Sequence, residues 1–534
     1  MTDLPDPADP LRRRWLGLAT GAAALCTWAP GVMPARNHAT PLARTRSGVL
    51  RGQTDDGVRV FRGIPYGGDT ATRRFRRAQR ETPWEGVRDA FDYGPSAPQP
   101  GVPDASEDCL RLNLWTPALR DEARRPVLVY VHGGGYATGS GSDPLYDGTR
   151  LARRGDVVVV SVNHRLGPLG YLHLGELGGR EFASAGNVGQ LDLIDALGWI
   201  AAHAAQFGGD PGNITLFGQS GGGAKIATLM AMPEARGLFH RAWTMSGQQV
   251  TAAGPRAAAR RCALLMQAAG LAADDLTGLL ALAPEKLVAA AQVADPSPVE
   301  DMRLYLGPVL DGQALPTHPF WPEAPAQSAA IPMVIGNTRD ETRAFLGRDP
   351  AAYRLSWDEL PDRLARGQYV DLPVQTVIAE YRRLYPDWSP SEIYFAATTA
   401  GRSWRGAIEE LEARARQGAA TWAYQLDWSS PLDPDLRAYH TLDIPLVFGN
   451  LHHPTARTGQ GASARRVSQA LADALIAFAR NGDPQHPGLP AWPQYSLRDR
   501  ETLLVDDPCR VASDPRSGER RLYARGVFAQ RGTF

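Results

Sequence analysis

Residues 213–223 place a serine in a setting that suits nucleophilic chemistry. Residues 218–222 read G-Q-S-G-G, between an apolar run at 214–217 and a small-residue stretch that is typical of a helix. A serine at such a sharp strand-to-helix turn presents its hydroxyl to a substrate, and the glycines let strand and helix approach closely. The alternative is a glycine-rich turn that carries Ser220 by chance, and the pentapeptide alone does not decide between them.

A serine hydroxyl is a poor nucleophile at neutral pH and needs three kinds of partner. A histidine must take its proton, a carboxylate must orient that histidine, and N–H groups must stabilise the oxyanion that forms. For a serine on this type of turn, the chain order is serine, acidic residue, histidine. The acid and the base are therefore expected downstream of Ser220.

A glycine run upstream of Ser220 is suited to bind an oxyanion. Residues 127–131 are apolar throughout, as in a buried strand, and H-G-G-G follows at 132–135. Consecutive glycines leave backbone N–H groups uncovered, so Gly134 and Gly135, with the N–H of Gly221, are the predicted donors. A plain glycine turn is the alternative.

The residues alone leave the acid and the base undecided. Asp340 and Glu341 follow a predicted strand at 331–335, and either carboxylate could reach an imidazole. An acidic cluster at a helix N-terminus is the other interpretation of this pair. For the base, His440 follows another predicted strand, and three further downstream histidines compete with it: His452, His453 and His486.

The predicted elements that position these groups alternate between strands and helices. Apolar strand patterns occur at 127–131, 157–162, 214–217, 242–245, 331–335 and 421–428, and helical patterns occur at 191–205 and 467–480. This alternation predicts a mostly parallel sheet with helices on both faces. An alanine- and leucine-rich stretch at 252–310 predicts a helical insertion, and β-like pieces are predicted at 502–505 and 522–528.

The first 39 residues predict an export signal. Three arginines at 12–14 precede an uncharged apolar run at 16–28, and small residues near 35–39 offer a cleavage site, which resembles the twin-arginine type of signal. The apolar run is too short to span a bilayer as a helix. We therefore expect residues 40–534 to form a single exported domain, periplasmic or secreted.

The composition argues against several kinds of partner. Lys+Arg and Asp+Glu each number 57, so no overall field attracts nucleic acid. No later segment is apolar enough to span a membrane. Three cysteines remain once the predicted signal, which carries Cys26, is removed: Cys109, Cys262 and Cys509. They are too few and too scattered for a metal site or a disulfide framework, although one bridge among them stays open.

These motifs, in this order, resemble the type B carboxylesterase family, which includes bacterial para-nitrobenzyl-type esterases and the cholinesterases. The most specific matches are E-D-C-L-R-L-N at 107–113, H-G-G-G-Y at 132–136, F-G-G-D-P at 207–211, G-Q-S-G-G at 218–222, R-D-E at 339–341 and F-A-R-N-G-D-P at 478–484. The resemblance begins near Pro41 and implies an α/β-hydrolase fold. It also implies hydrolysis of small-molecule carboxylic esters without a metal or an organic cofactor.

The resemblance implies roles that the residues alone left open. The family's acid matches Glu341 and its histidine matches His440, so the implied triad is Ser220, Glu341 and His440. Ser246 matches a serine that supports the acid. The implied chemistry is acyl transfer to Ser220 followed by hydrolysis of the acyl-enzyme.

Further matches concern the pocket and the scaffold. Met302 and Leu304 match positions of the family's acyl pocket, where flexible aliphatic side chains would admit larger acyl groups than an aromatic wall. Ordinary core residues are the alternative. Arg165 and Asp192 match an ion pair that the family uses structurally.

Departures from the family pattern bear on substrate choice. Gln219 stands before the serine, where cholinesterases have a glutamate, and residues 99–108 form a far shorter loop than the one that carries the choline-binding tryptophan. These changes remove two contacts for a quaternary ammonium, and a cation–π contact alone contributes about 0.5–2 kcal/mol. We therefore expect a weak preference for choline esters. Thr342 replaces the glycine that usually follows the acid, which we expect to tighten that loop.

Two rival functions use the same fold. A catalytically silent, cholinesterase-like binding protein is expected to lack a triad member, whereas Ser220, Glu341 and His440 are all present. A serine peptidase of this type would be expected to carry an N-terminal propeller-like repeat, and the sequence has none. Carboxylic ester hydrolysis is therefore the predicted function.

Overall fold

A mixed β-sheet is the framework of the protein in a computed structural model, which describes residues 40–297, 303–368, 370–528, 530 and 532–533. The strands of this region, numbered along the chain, are β1 (Leu42–Arg44), β2 (Val49–Arg51), β3 (Gln53–Asp55), β4 (Val58–Pro65), β5 (Val87–Asp89), β6 (Arg111–Thr116), β7 (Arg125–Val131), β8 (Val158–Val162), β9 (Gly209–Gln219), β10 (Arg241–Met245), β11 (Met333–Thr338), β12 (Thr421–Leu426), β13 (Glu501–Val505) and β14 (Arg510–Ser513).

Helices connect these strands and cover the sheet. They are α1 (Thr149–Gly155), α2 (Gly167–Tyr171), α3 (Gly175–Gly178), α4 (Val188–His203), α5 (Gly221–Leu229), α6 (Pro255–Ala268), α7 (Leu276–Ala281), α8 (Pro284–Ala290), α9 (Arg343–Leu346), α10 (Leu360–Gly367), α11 (Val374–Leu384), α12 (Pro390–Thr399), α13 (Arg405–Gln417), α14 (Asp443–Phe448), α15 (Ala462–Asn481) and α16 (Ser517–Tyr523).

The main sheet has parallel strands at its centre and antiparallel strands at its edges. Across the described part of the chain it has eleven strands, in the order β14-β13-β12-β11-β10-β9-β7-β8-β6-β4-β3. Neighbours from β13 to β8 are parallel, and the pairs outside them are antiparallel. Parallel neighbours need crossover connections, which helices such as α1, α4 and α5 supply. The predicted mostly parallel sheet is confirmed.

Successive side chains of the central strands face two separate cores. In β7, Val127, Val129 and Val131 belong to the apolar cluster that includes residues of α4 and α5. Leu128 and Tyr130 belong to the cluster that includes residues of α1, α14 and α15. Because side chains alternate along a strand, a strand buried on both faces is apolar throughout. The predicted helical layers on both faces are therefore confirmed.

Most predicted elements are present, with shifted ends. The strand predicted at 214–217 is part of the longer β9, which pairs with β7 as far back as Gly209, across an irregularity in the register. The strand predicted at 331–335 begins later and extends to Thr338 as β11. The predicted helical insertion contains α6, α7 and α8.

The β-structure predicted at 522–528 is wrong. Leu522 and Tyr523 end α16, and the described residues that follow, up to 528, pair with no strand. The helix is favoured because Glu519 and Tyr523, four residues apart, lie on one helical face and both contact the hydroxyl of Tyr381, at 2.8 and 3.2 Å. Side-chain contacts with α11 thus select a helical spacing at the end of the chain.

The predicted scaffold ion pair is present. Arg165 Nη2 lies 2.6 Å from Asp192 Oδ1, and Arg165 Nε lies 2.8 Å from Asp192 Oδ2. Both side chains are buried. This bidentate contact ties the loop after β8 to α4.

Several other predictions concern the chain ends, the membrane and the cysteines. The predicted export signal at 1–39 lies outside the described residues, whereas Thr40–Phe534 forms one compact unit. Within the described ranges, the structure contains no helix that is long and apolar enough to cross a membrane. Cys109, Cys262 and Cys509 are free thiols, and the first two are buried.

Candidate active site

Ser220 lies at the turn between β9 and α5. Its backbone has φ 56° and ψ −129°, a conformation that costs a non-glycine residue roughly 1–3 kcal/mol and persists only where the surroundings impose it. Ser220 N donates to Met245 O over 2.7 Å, and Ser220 O accepts from Ala224 N at 3.1 Å. The predicted strand–turn–helix setting is confirmed, and Ser220 is partly exposed.

Two glycines at the start of α5 let this turn pack against the H-G-G-G loop. A Cβ on Gly221 would lie 2.1 Å from Gly135 O, and a Cβ on Gly222 would lie 1.9 Å from Val131 O. A side chain at either position would displace the backbone. The structure therefore brings Gly135 and Gly221 together, and Gly134 and Gly135 are both exposed in the same loop.

His440 and Glu341 are in direct contact. His440 lies in the loop between β12 and α14, and its Nδ1 hydrogen bonds to Glu341 Oε2. Burial alone would raise the pKa of Glu341, but His440, Arg402 and the Ser246 hydroxyl lower it below its ordinary value. The carboxylate is therefore ionised at neutral pH, and its negative charge lies against the imidazole.

Three groups not identified from the sequence orient the second oxygen of Glu341. Its Oε1 accepts from Thr338 N at 3.0 Å, from Asn337 Nδ2 at 3.3 Å and from Ser403 Oγ at 3.4 Å. Asn337 and Thr338 end β11, just before the R-D-E motif, so their position in the chain could have indicated them. Ser403 lies in a π-helical turn between α12 and α13 and leaves no such signal.

The carboxylate next to Glu341 faces a different partner. Asp340 Oδ1 lies 3.2 Å from Arg343 Nε and is partly exposed. Thr342, the residue after Glu341, fixes this loop because its hydroxyl donates to Phe395 O over 3.0 Å. The structure thus separates two carboxylates that their chemistry leaves equivalent, and Glu341 is the one that meets His440.

The other ring nitrogen of His440 contacts Gln219. Gln219 Nε2 lies 3.1 Å from His440 Nε2. An amide N–H donates, so the ring accepts at Nε2 and carries its proton on Nδ1, facing Glu341. Across the described residues, no hydrogen bond joins Ser220 to His440. Gln219 therefore occupies the nitrogen that a base would use, a contact that the sequence analysis does not foresee.

The surroundings of His440 contain further residues that the sequence analysis does not identify. The Phe345 ring lies 5.0 Å from the imidazole, and the Arg402 guanidinium lies 4.1 Å from the Phe345 ring. Asp443 is fully buried and accepts from Tyr424 at 3.1 Å. Burial and the nearby charge of Glu341 raise the pKa of Asp443 to about 7. A second carboxyl group close to the His440 pair is thus neutral at acidic pH and loses its proton near pH 7.

The competing histidines lie elsewhere. His486 Nε2 lies 3.1 Å from Ala470 O, and His453 Nδ1 lies 2.8 Å from Thr455 Oγ1. His452 is exposed. Among the residues that the structure describes, none of these three contacts a carboxylate of the R-D-E motif.

Of the two predicted pocket residues, Met302 lies outside the described residues. Leu304 is buried and belongs to an apolar cluster with Tyr136 and Ala224. Tyr136 follows the glycine run, and Ala224 lies on α5. Leu304 therefore packs in the core that joins the helical insertion to the H-G-G-G loop.

Comparisons with known proteins give the family. The model of the Carboxylesterase family matches residues 39–522. The para-nitrobenzyl esterase of Bacillus subtilis is 35% identical over 493 residues, which cover 90% of this chain and 98% of that protein. The phenmedipham hydrolase of Pseudarthrobacter oxydans is 38% identical over 509 residues, which cover 89% of this chain and 97% of that protein.

A solved structure agrees in both fold and sequence. The crystal structure of a carboxylesterase from Geobacillus stearothermophilus at pH 6.2 superposes with a TM-score of 0.81 at 37% identity, covering 90% of this chain and 99% of that one. Similarity at this level over nearly the whole chain extends to the fold and the class of reaction. The chain therefore belongs to the carboxylesterase family and is a carboxylic ester hydrolase with the α/β-hydrolase fold.

Proposed function

We propose that the enzyme hydrolyses small-molecule carboxylic esters through an acyl-enzyme on Ser220, with His440 as general base and Glu341 as the acid that orients it. The observation that carries the proposal is the position of the imidazole. Its Nδ1 contacts a buried, ionised glutamate, and its Nε2 contacts the residue directly before Ser220. A histidine held in this way can accept a proton at Nε2 while Glu341 stabilises the resulting imidazolium.

The reaction then has two halves. Ser220 Oγ attacks the ester carbonyl carbon while His440 Nε2 takes its proton, and N–H groups of Gly134, Gly135 and Gly221 bind the oxyanion. The tetrahedral intermediate collapses, the alcohol leaves with the proton from His440, and an acyl group remains on the serine. Water attacks this acyl-enzyme with His440 again as base, and the carboxylic acid leaves as the serine regains its proton.

Gln219 must move for the first proton transfer. Its amide donates to His440 Nε2, the nitrogen that takes the proton from Ser220. Catalytic hydrogen bonds are often unformed in a free enzyme and tighten only when substrate binds. In this proposal the Gln219 amide therefore releases Nε2 when a substrate reaches the site.

The favoured substrates are uncharged esters. Gln219 presents a neutral amide beside the base, where a carboxylate would attract a cationic alcohol group. The relative that is named a para-nitrobenzyl esterase supports this choice, since a nitrobenzyl ester carries no charge. We infer that neutral aromatic and aliphatic esters are the substrate class.

A set of matched substrates tests this class. We expect hydrolysis of p-nitrophenyl acetate and butyrate. A site with a cation–π contact would prefer acetylthiocholine over an uncharged analogue of the same shape by about 2- to 30-fold, because one such contact is worth about 0.5–2 kcal/mol. The uncharged control is the thioacetate of 3,3-dimethylbutanethiol, which has the shape of acetylthiocholine. Because this site should offer no contact to a cation, the wild type should hydrolyse both thioesters at similar kcat/KM.

Two further arms sharpen that experiment. Gln219→Glu should raise kcat/KM for acetylthiocholine relative to kcat/KM for its uncharged analogue, since it adds a carboxylate beside the base. A p-nitroanilide that matches the best ester should be hydrolysed far more slowly than the ester, which separates an esterase from a peptidase. A wild-type enzyme that prefers the cationic thioester about tenfold would contradict the proposed substrate class.

A further inference from the structure

Lys225 is a buried lysine next to the H-G-G-G loop at 132–135, called the oxyanion loop below because it carries two of the proposed oxyanion donors. It is one of two lysines in the whole chain, lies on α5 five residues after Ser220, and is fully buried. Its Nζ donates to His132 O over 3.2 Å and lies 5.6 Å from the centre of the Tyr136 ring. These two partners flank the glycine run at 133–135. Lys225 thus contacts the loop at both of its ends.

The groups that face Lys225 do not neutralise its charge. The rings of His132 and His164 are stacked 4.8 Å apart, and burial together with Lys225 lowers the pKa of both, that of His132 to about 3. Burial raises the pKa of Tyr136, so the phenol is neutral too. The charge of Glu410 also raises the pKa of Tyr136, and burial raises the pKa of Glu410 itself to about 8. In the described structure no carboxylate forms an ion pair with Lys225.

Packing alone does not explain a lysine at this position. An ammonium that is buried without a counter-ion costs free energy, and a methionine would fill a similar volume without that cost. Burial lowers the pKa of Lys225 to about 7, so the group changes its charge near neutral pH. The remaining property that distinguishes lysine here is a positive charge held against the loop.

We propose that the ammonium of Lys225 is a positioning group for the oxyanion loop. By donating to His132 O it fixes the peptide that leads into Gly133, and its charge adds a positive field behind the developing oxyanion. The proposal rests on the acyl-enzyme mechanism with donors at Gly134, Gly135 and Gly221. When Lys225 loses its proton, the positive field is lost and its hydrogen bond to His132 O becomes weaker.

The contribution of Lys225 to activity should therefore fall as pH rises through its pKa. We expect the ratio of kcat for p-nitrophenyl butyrate in the wild type to that in Lys225→Met to decline between about pH 6 and about pH 9, because taking the ratio cancels the pH dependence of the groups that both proteins share. Lys225→Met should lower kcat about tenfold at pH 6, less than the 10²–10³-fold loss that follows removal of a direct oxyanion donor. Lys286→Met is the matched control, because Lys286 is exposed on α8 and should keep the wild-type profile.

The thermal stability of Lys225→Met distinguishes a positioning role of Lys225 from a role in packing alone. Because burial lowers the pKa of Lys225, the unfolded chain binds this proton more tightly than the folded protein, and the cost is largest at low pH. Lys225→Met should therefore melt at the same or a higher temperature than the wild type at pH 6, although it is slower. A variant in which Tm and kcat fall together, with the wild-type pH profile, would overturn the proposal.

The wild type also offers a direct measurement. Protein labelled with ¹⁵N at lysine side chains has two Nζ groups, and Lys286→Met assigns them. The Lys225 resonance should titrate with the same midpoint as the decline in the ratio of wild-type kcat to Lys225→Met kcat. A midpoint near the ordinary lysine value of about 10.4 would overturn the proposal.

Failure of the Lys225 proposal and failure of the acyl-enzyme mechanism give different results. If Ser220→Ala keeps wild-type turnover, the acyl-enzyme mechanism fails. If Ser220→Ala is inactive while Lys225→Met behaves as the wild type, the role of Lys225 alone fails.

Discussion

Replacing Ser220 with alanine should lower kcat for p-nitrophenyl butyrate roughly 10⁶-fold. Both halves of the proposed reaction pass through Ser220 Oγ, so its loss removes the acyl-enzyme pathway. Alanine keeps the Cβ, and the backbone at φ 56° is equally strained in both proteins. We therefore expect the melting temperature to change little, and steady-state kinetics with thermal melts measures both quantities.

An exposed serine provides the control for this substitution. Ser356 lies before α10, and its hydroxyl contacts the Glu359 carboxylate at 2.8 Å. Ser356→Ala should keep wild-type kcat. Turnover by Ser220→Ala within about tenfold of the wild type would contradict the assignment of Ser220 as nucleophile.

Glu341→Gln should lower kcat about 10⁴-fold with a much smaller change in KM. The neutral amide cannot stabilise the imidazolium that forms when His440 takes the serine proton. It can also present an N–H to Nδ1 and so favour the tautomer whose Nε2 already carries a proton. The loss should therefore appear in kcat, measured with p-nitrophenyl butyrate at a fixed pH near 8.

The neighbouring carboxylate is a matched control. Asp340 precedes Glu341, contacts Arg343 and is partly exposed. Asp340→Asn removes the same charge one residue away and should change kcat by only a few fold, with a stability loss of up to about 1 kcal/mol. Equal damage from the two substitutions would contradict the role given to Glu341.

The backbone frame of the site is largely predictable from sequence. Strands β7, β8 and β10 are buried on both faces, so apolar residues dominate them. Residues 127–131 of β7 have no polar interruption, whereas Ser161 interrupts β8 and Thr244 interrupts β10. Glycine runs follow β7 and β9, and they allow the close approach of the H-G-G-G loop to Gly221 and Gly222. Such features are local, because the residues that cause them are adjacent in the chain.

Side-chain partners are less predictable because distant segments decide them. Asp340 and Glu341 are chemically equivalent until β11 and the loop after β12 are placed side by side. Ser403 reaches Glu341 from 62 residues away, through a π-helical turn that has no marked sequence pattern. The contact between Gln219 and His440 likewise joins residues 221 positions apart.

The burial of Lys225 illustrates the same limit. Lysine is typical of exposed positions, so its residue type gives no hint of an interior location. All residues of α5 are buried, because the sheet lies on one side of this helix and further elements of the domain cover the rest. Only the assembled layers reveal that its ammonium meets His132 and Tyr136.

Labelling with diethyl p-nitrophenyl phosphate tests most directly whether Ser220 is the nucleophile. This reagent transfers a diethylphosphoryl group to an activated serine and releases p-nitrophenol, and the adduct resists hydrolysis. Peptide mapping by mass spectrometry locates the group. We expect one diethylphosphoryl group on Ser220, in proportion to the activity lost, and none on the Ser220→Ala protein. Full inactivation with the label on another residue would contradict the proposed mechanism.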